Sequence, residues 1–456
     1  MTSPTDVQTK TAPEKVTFWQ AFRFWLKLGF ISFGGPAGQI SIMHQELVEN
    51  RLWISEHRFL HALNFTMLLP GPEAQQLATY IGWLLHGTAG GIVAGVLFIL
   101  PSLFILMGLS WIYLEFQNAP LVTGILYGIK PAVTAIVLFA AIRIGRRAIT
   151  SLPLLSLSVL AFLAIFFLKA PFPLIILTAA IAGYCGGRMA PDKFTNTSPH
   201  VSNINTYGPA LIDDHSPLPA HTRFTWRRTI RYAVIGLLIW MVSMMVLVLL
   251  DDWQGMLTQM GWFFTKAALL TFGGAYAVLP YVYQGAVEHY GWLTAPQMID
   301  GLALGETTPG PLIMIVTFVG FLGGWSGGFP WTTLQPLGGI VAACVTTFFT
   351  FLPSFVFILV GGPIVEATRG EPGFTAPLTG ITAAVVGVIV NLALTFSGHV
   401  FWPAGFTGAI EWAALLIAAG AFIALYFFRR GIVSVITACA IAGLVVSMLN
   451  HFNFLM

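Results

Sequence analysis

Charged residues are scarce in this 456-residue chain. Only 9% of its residues are Asp, Glu, Lys or Arg, against roughly a quarter in soluble domains, whose surfaces must be hydrated. Hydrophobic residues make up 56% of the sequence, and the mean hydropathy is +0.81. Most of the surface must therefore face a medium other than water. This excludes an ordinary soluble protein and predicts one that is embedded in a lipid bilayer.

Cysteine is also rare, and its positions exclude several kinds of site. Cys185, Cys344 and Cys439 each stand alone in apolar sequence, without the spacing of a disulfide, a metal site or a redox motif. We expect small buried side chains there, no metal and no cofactor. The net charge of +3 is too small and dispersed for a nucleic-acid-binding surface. Residues 1–17 lack the layout of a cleaved signal peptide.

Long apolar runs fill much of the chain instead. A membrane helix needs about 20 apolar residues to cross roughly 30 Å of hydrocarbon, and runs near that length recur, for example at 233–250, 338–361 and 413–428. Glycine (47 residues) and proline (27 residues) are abundant, and membrane helices tolerate both better than soluble helices do. The sequence therefore predicts an all-α polytopic membrane protein.

Two Gly/Pro motifs occur twice in a single register. Phe33-Gly34-Gly35 and Pro70-Gly71-Pro72 both recur 239 residues later, as Phe272-Gly273-Gly274 and Pro309-Gly310-Pro311. After an insertion within 325–339 the offset becomes 252, where Leu100-Pro101-Ser102 matches Leu352-Pro353-Ser354. At the first offset Lys27, Gln45, Glu49 and Trp53 also match Lys266, Gln284, Glu288 and Trp292. These matches indicate an internal duplication.

The duplication predicts the domain organisation. Residues 1–16 form a cytoplasmic tail, 17–190 a first repeat, 191–231 a polar, flexible cytoplasmic linker, 232–250 an unpaired transmembrane helix, and 251–456 a second repeat. One additional crossing between the repeats inverts the second repeat. Loop charges agree with this inversion under the positive-inside tendency, because Arg146 and Arg147 fall inside in the first repeat and Arg429 and Arg430 in the second.

The number of membrane segments depends on what the Gly/Pro motifs do. If every apolar segment crosses, the chain has thirteen segments, and Arg51 and Arg58 fall on the wrong side. If the broken segments are re-entrant, the count is lower, while the later orientations are unchanged. We therefore expect about 11–13 segments in an inverted repeat with broken or re-entrant helices.

The breaks are the predicted transport site. Proline removes a backbone donor and glycine frees the backbone, and non-helical backbone at membrane depth is tolerated only where protein or a water-filled cavity satisfies it. Inverted-repeat transporters bind substrate at such discontinuous helices, whose free amides suit an anion. An ordinary kink is the alternative for any single motif. The motifs are Gly34-Gly35-Pro36, Pro70-Gly71-Pro72, Gly273-Gly274 and Pro309-Gly310-Pro311.

Ionisable and polar residues near the breaks complete the predicted site. Lys27 and Lys266 precede the glycine pairs and suit a dianionic substrate, although a lysine snorkelling to the membrane interface has the same pattern. Lys130 lies in the middle of the predicted membrane segment 120–145 without an evident partner. Glu73 and Glu306 flank the Pro-Gly-Pro motifs and are predicted to carry coupling protons, with a charge at a helix end as the alternative role. The predicted substrate contacts also include Gln39, Asn64, Gln75, Gln76, Thr307 and Thr308.

These motifs resemble the chromate ion transporter family in its long, duplicated form. The resembling stretches are 33–40, 69–76, 90–102, 272–276 and 305–312. The resemblance implies a multi-pass protein of the cytoplasmic (inner) membrane that exports chromate and confers chromate resistance. It also implies coupling to the membrane potential or the proton gradient, with sulfate as a competing or exchanged anion. The expected partners are this oxyanion and the lipid bilayer, and a homodimer is compatible with the sequence.

Three alternatives stay open. The substrate could be sulfate or another small anion, since chromate and sulfate are tetrahedral dianions of similar size. A membrane-embedded enzyme would need paired carboxylates or a metal-ligand cluster at one face, and the sequence has none of that spacing. A channel-like or structural subunit would depend on oligomer contacts that a sequence does not reveal.

Overall fold

The chain folds into helices joined by short connections. The structure is a computed structural model that describes residues 15–194, 207–213, 220–329, 332–368 and 375–455. The helices are α1 (Phe18–Ile31), α2 (Gly35–His44), α3 (Glu56–Leu68), α4 (Glu73–Phe116), α5 (Pro120–Ala148), α6 (Leu152–Leu168), α7 (Phe172–Met189), α8 (Pro191–Phe194), α9 (Trp226–Asp251), α10 (Met256–Leu269), α11 (Ala275–Tyr283), α12 (Ala295–Thr307), α13 (Ile315–Ser326), α14 (Gln335–Thr368), α15 (Thr375–Phe401), α16 (Trp412–Tyr426) and α17 (Ile432–Leu455).

Within the described ranges, seven helices are long and apolar enough to cross a membrane: α4, α5, α7, α9, α14, α15 and α17. Helices α6 and α16 are shorter and also apolar. Helix α16 nevertheless runs the length of α5, because Tyr127 donates to Glu411 at one end and Arg146 donates to Tyr426 at the other. The predicted all-α polytopic class is confirmed.

The first two broken segments are helical hairpins. Hairpin 1 consists of α1 and α2 with the π-helical turn Gln45–Asn50, and hairpin 2 consists of α3 and the first arm of α4. The arms of hairpin 2 lie side by side, since Phe65 packs 5.6 Å from Tyr80 between ring centroids. In hairpin 1 the chain has returned to α1 just after the π-helical turn, since Trp53 packs 5.0 Å from Phe24. Each arm therefore returns to the end of the molecule from which its partner started.

The second pair of broken segments repeats this arrangement. Hairpin 3 consists of α10 and α11 with the π-helical turn Gln284–His289, and hairpin 4 consists of α12 and α13. Phe263 stacks on Tyr281 with centroids 4.8 Å apart, and Gly301 of α12 lies against the ring of Phe318 on α13. All four breaks are thus hairpin tips, which is the re-entrant alternative of the sequence analysis.

Backbone conformation explains the tips. Gly71 has φ of 130° and Gly310 has φ of 102°, values that only glycine adopts without steric cost. After the tip of hairpin 2 the chain turns back again within α4, at His86 and Gly87, whose φ and ψ values are not helical. The two arms of α4 then pack on each other through small residues, with Gly82 against Ala94. The long second arm crosses the molecule after this turn.

The two predicted repeats are interlocked through their long helices. Helix α5 of the first repeat packs on α16 and α17 of the second, and α15 of the second packs on α6 and α7 of the first. Gly128 of α5 touches the backbone of Cys439 on α17, and Gly380 of α15 touches the backbone of Ala179 on α7. Glycine at these positions lets the helix backbones approach closely.

One end of the molecule is rich in arginine, and we call it the basic end. It contains the ends of hairpins 1 and 2 opposite their tips and the C-terminal ends of α5 and α7. The described part of the linker and the α16–α17 loop also lie there. Arg51 lies at this end and pairs with Glu46 at 3.1 Å, so re-entrance removes it from the wrong side. Arginines at this end include Arg51, Arg146, Arg147, Arg188, Arg223, Arg227, Arg228, Arg231, Arg429 and Arg430.

The linker and the cysteines differ from expectation. Ile212 of the linker forms a parallel bridge with Ile54, and the His221 ring lies 2.8 Å from the carbonyl of Trp83, so the described part of the linker packs on hairpin 2. Helix α9 begins at Trp226, six residues before the predicted unpaired helix. Of the cysteines, Cys439 is buried as expected, whereas Cys185 and Cys344 are exposed because they lie on outer faces of apolar helices.

Candidate functional site

The four hairpin tips meet in two pairs, and each pair joins the two repeats. The amide of Gly71 in hairpin 2 donates a hydrogen bond of 2.8 Å to the carbonyl of Thr271 in hairpin 3. The amide of Gly310 in hairpin 4 donates a bond of 2.8 Å to the carbonyl of Ser32 in hairpin 1. The offset of the duplication, 239 residues, separates Gly71 from Gly310 and Ser32 from Thr271. The two contacts therefore join corresponding residues, with the donor in the first repeat in one contact and in the second repeat in the other.

A serine from a long helix closes each of these junctions. Ser102 of α4 packs against Gly310, and Ser354 of α14 packs against Gly71. Each serine directly follows a proline inside its helix, and both are completely buried. The tips contain the predicted residues Gly34, Gly35, Pro36, Pro70, Gly71, Pro72, Gly273, Gly274, Pro309, Gly310 and Pro311.

Two predicted glutamines reach the junctions. The side-chain amide of Gln39 donates to the carbonyl of Gly310 at 2.5 Å, and that of Gln76 donates to the carbonyl of Pro70 at 2.8 Å. The Oε1 atoms of both side chains are buried without a hydrogen-bond partner among the described residues. Each is an unused acceptor at the tips, and leaving such an atom unpaired costs about 1–3 kcal/mol.

The start of α11 brings two predicted carboxylates together. Glu73 is the first residue of α4, and a β-carbon on Gly274 would lie 3.8 Å from its Oε1 atom. Glu306 of α12 accepts a short hydrogen bond from the hydroxyl of Tyr276. The two carboxylates come from opposite repeats and flank the first turn of the same short helix.

Polar groups from two long helices, α5 and α15, lie next to the start of α11. The side chain of Thr382 on α15 lies next to Gly273, with Oγ1 3.4 Å from a β-carbon built on that glycine. The guanidinium of Arg143 on α5 is near enough to act electrostatically on Tyr276 and Glu306. The site thus combines free helix amides, two carboxylates and a cation.

Lys130 has a partner that sequence reasoning missed. Its ammonium lies 3.5 Å from the carboxylate of Asp300, which also accepts a hydrogen bond of 3.0 Å from Tyr113. The expectation of an uncompensated lysine is therefore wrong, because α12 of the second repeat supplies the counter-charge. We call Lys130, Tyr113 and Asp300 the distal clasp.

A second cluster of one basic residue, one tyrosine and one carboxylate lies towards the basic end. Arg58 donates to Glu366 at 2.5 Å, and the hydroxyl of Tyr80 donates to the other oxygen of Glu366 at 2.6 Å. The side chains of Arg58 and Glu366 are only 5% and 2% exposed. We call these three residues the basic-end clasp. Like the distal clasp, it joins one repeat to the other.

The clasps lie on opposite sides of the tips. Glu366 follows Ser354 by twelve residues on α14, and Tyr113 follows Ser102 by eleven on α4, which places each about 16–18 Å along its helix from a tip. Helix α14 leads from the tips towards the basic end, whereas α4 leads away from it. A substrate at the tips would therefore have one clasp on each side.

Several predicted residues do not join the tips. Lys27 and Asn64 are exposed on the outer faces of hairpins 1 and 2, and the ammonium of Lys266 lies 5.6 Å from the centre of the Trp262 ring. Their role in substrate binding stays a prediction. Gln75 donates to Thr79 within α4, while Thr307 and Thr308 donate to carbonyls of their own helix.

Comparison with known proteins identifies the family. The family model described as "Chromate transporter" matches residues 19–184 and 258–444. The chain is 30% identical over 449 residues to a "Chromate transport protein" of Pseudomonas aeruginosa, covering 96% of this chain and 95% of that protein. It is 29% identical over 388 residues to a "Chromate transport protein" of Cupriavidus metallidurans, covering 85% and 84%.

A third relative is slightly more distant. It is the "Probable chromate transport protein" of Synechococcus elongatus, 28% identical over 380 residues, with 82% of each chain covered. No solved structure matches the chain significantly. The family model and these full-length relatives cover the hairpins, the tips and the long helices alike, and the chain therefore belongs to the chromate transporter family.

Proposed function

We propose that this protein is a secondary transporter that exports chromate across the cytoplasmic membrane and thereby confers chromate resistance. The observation that carries this proposal is the paired junction of hairpin tips between the two repeats. It is supported by the family to which the chain belongs and by the names of the relatives from Pseudomonas and Cupriavidus. The arginine-rich end faces the cytoplasm in this proposal, as the positive-inside tendency favours.

Helix amides bind the oxyanion in this proposal. Helices α2, α4 and α11 and the turn that leads into α13 all begin at the tips, and no side chain caps their first amides. Such N-termini carry a partial positive charge and free N–H donors, which suit a tetrahedral dianion. Arg143 adds a full positive charge beside α11. The side-chain N–H groups of Gln39 and Gln76 already donate to carbonyls of the tips, so these residues hold the tips in place around the anion.

Glu73 and Glu306 carry the coupling protons. Both carboxylates lie beside the N-terminus of α11, where a negative charge competes with the substrate for the same amides. Protonation of either residue removes that competition, so proton binding and anion binding are linked at a single place. The inverted repeat then exposes this place alternately to the two sides, by rocking of one repeat against the other.

The membrane potential favours export. Moving one charge through 100 mV is worth about 2.3 kcal/mol, and a dianion that leaves a negative interior gains roughly twice that. Export can therefore proceed on the potential alone, as long as the two negative charges that leave outnumber the protons carried with them. Import would require co-transported cations.

Uptake of labelled chromate into inverted membrane vesicles tests the proposal. We expect accumulation that falls when the potential is collapsed, rises when the medium outside the vesicles is made acidic, and is inhibited by excess sulfate. Vesicles without the protein are the control. Absence of chromate accumulation under every condition would contradict chromate export, and accumulation of sulfate alone would replace it with sulfate transport.

A further inference from the structure

A groove on the outer surface lies between α16 and α17. It has a cavity volume of about 620 Å³ and is lined mostly by small or apolar side chains. Gly420 and Ala438 are exposed along it. Helix α5 packs on both α16 and α17, so the groove has a protein floor and opens only outwards. Its lining includes Leu416, Gly420, Ala424, Ser434, Ala438 and Ala442.

Arginines gather where this groove reaches the basic end. Arg430 lines the groove itself, and Arg429 precedes it in the α16–α17 loop. Arg146 of α5 donates to the hydroxyl of Tyr426, four residues before Arg430, and Arg147 beside it is exposed. Among the described residues, neither Arg429 nor Arg430 forms an ion pair with a carboxylate. The cluster therefore carries uncompensated positive charge.

We propose that this groove is a binding site for one anionic phospholipid of the cytoplasmic leaflet. The apolar lining accommodates an acyl chain, and the arginine cluster binds the phosphate of the headgroup. Guanidinium groups match phosphate oxygens in two-pronged geometry, and basic pockets between helices on the cytoplasmic side suit acidic lipid headgroups. An apolar groove alone would accept any lipid, so the charge at its end commits the site to an acidic one.

The first repeat contains the corresponding helices without the site. Helices α6 and α7 correspond to α16 and α17 at an offset of 260 residues, since Lys169 and Arg429 both have φ of 50°. At this offset Leu160 aligns with Gly420, Leu174 with Ser434 and Ala170 with Arg430. The two leucines are 63% and 51% exposed. At the equivalent place two leucines therefore occupy the positions of Gly420 and Ser434, and of the two arginines only Arg429 has a basic counterpart, Lys169.

Native mass spectrometry of the purified protein with defined lipids tests this proposal. The protein is titrated with phosphatidylglycerol or with phosphatidylcholine in detergent, and retained lipid is counted. We expect one tightly retained phosphatidylglycerol per chain and weaker retention of phosphatidylcholine. The double variant Arg429→Gln/Arg430→Gln should weaken retention by roughly fivefold per arginine, because each basic residue near an acidic surface contributes about that factor.

A second variant tests the groove without changing charge. Gly420→Leu/Ser434→Leu installs the leucines of the first repeat and should prevent retention of the acyl chain, whereas Arg227→Gln on α9 is the matched charge control and should retain the lipid. Equal retention in wild type and both double variants would overturn the proposal. So would displacement of the lipid by inorganic phosphate, which would mark a free-anion site instead.

Discussion

Two glutamates from opposite repeats lie within one turn of the same helix start. Glu73 opens α4 and faces Gly274, while Glu306 is bound by Tyr276. Each alone is an acidic residue near a helix end, which is common in proteins. Their convergence on α11 is what makes them candidates for coupling, because a proton on one changes the charge that a bound anion encounters.

Substitution of these glutamates should separate the effect of protons from that of the membrane potential. We expect Glu306→Gln and Glu73→Gln each to abolish the stimulation of chromate uptake by an acidic medium outside inverted vesicles, because an amide cannot take up and release the coupling proton. Uptake driven by the potential should persist. Glu115→Gln, at the exposed end of α4, is the control and should retain full stimulation. Unchanged stimulation in both test variants would exclude proton coupling through these residues.

The Lys130–Asp300 pair gives a stability prediction. Lys130→Met leaves the buried carboxylate of Asp300 without its cation, so the free energy of unfolding should fall by about 1–3 kcal/mol. The double variant Lys130→Met/Asp300→Asn should recover most of that loss. Denaturant titration in detergent measures both values.

Lys266→Met is a matched control for the Lys130→Met variant. Its ammonium contacts the Trp262 ring and no carboxylate in the part of the chain that the structure describes, so a much smaller change is expected. If Lys130→Met costs no more than Lys266→Met, the distal clasp contributes nothing to stability.

At this scale the sequence indicated which residues lie near the tips better than it indicated their partners. Glu73, Glu306 and Gln39 were selected because they lie next to Gly/Pro breaks, and the structure places them at the tips. Asp300 was missed, although a carboxylate in apolar helix α12 is a usable signal, because its partner Lys130 lies 170 residues earlier in the chain. Contacts between repeats depend on packing that no local pattern encodes.

At the scale of elements, the hairpin tips depend on glycine. Gly310 has φ of 102° and packs against Ser102, so an added β-carbon meets both backbone strain and a side chain. We expect Gly310→Ala to lower the midpoint of thermal unfolding and to reduce chromate transport at least tenfold. The strain alone is worth about 1–2 kcal/mol.

Gly108→Ala is the control for the tip variant. Gly108 lies in the helical second arm of α4, and a β-carbon there has open space around it. Since alanine favours helix, this variant should be neutral or slightly stabilising. Normal transport by Gly310→Ala would show that the tip tolerates a side chain and would contradict the proposed role of the junction.

The two clasps should behave as gates on opposite sides. Breaking the basic-end clasp with Glu366→Gln should open the tips to the cytoplasm, because Arg58 and Tyr80 lose their shared acceptor. The reporter is Ser354→Cys in a background without the native cysteines, labelled by an impermeant maleimide in inverted vesicles. Labelling should increase severalfold over the parent. Asp300→Asn, which breaks the distal clasp, should not increase labelling from this side, and equal labelling of all three proteins would contradict the assignment.

Sequence patterns located the four breaks but not their geometry. A Pro-Gly-Pro motif breaks a helix whether the chain continues across the membrane or turns back, so residues 55–86 suited either arrangement. The turn at His86 and Gly87 was missed because the apolar pattern of α4 continues through it. Packing of Gly82 against Ala94 decides the outcome, and such a contact is invisible in hydropathy.

At the scale of the whole molecule, re-entrance makes a topology prediction. The loop that contains Asn50 should lie on the same side as Arg147, whereas full crossing of the first segment would place them on opposite sides. A single cysteine at Asn50, which is exposed, should react with an impermeant reagent only from the cytoplasmic side. A cysteine at Asp252 should react only from the other side. Labelling of Asn50→Cys from outside would contradict re-entrance.

The interlocked long helices impose an order on biosynthesis. Gly128 of α5 meets its partner Cys439 only after another 311 residues have been made, which takes roughly 15–60 s at 5–20 residues per second. During that interval the glycine-rich face of α5 has no helix against it in the bilayer. A ribosome that stalls before α16 therefore leaves an inserted but incompletely packed protein, and such chains should be preferred targets of membrane proteases.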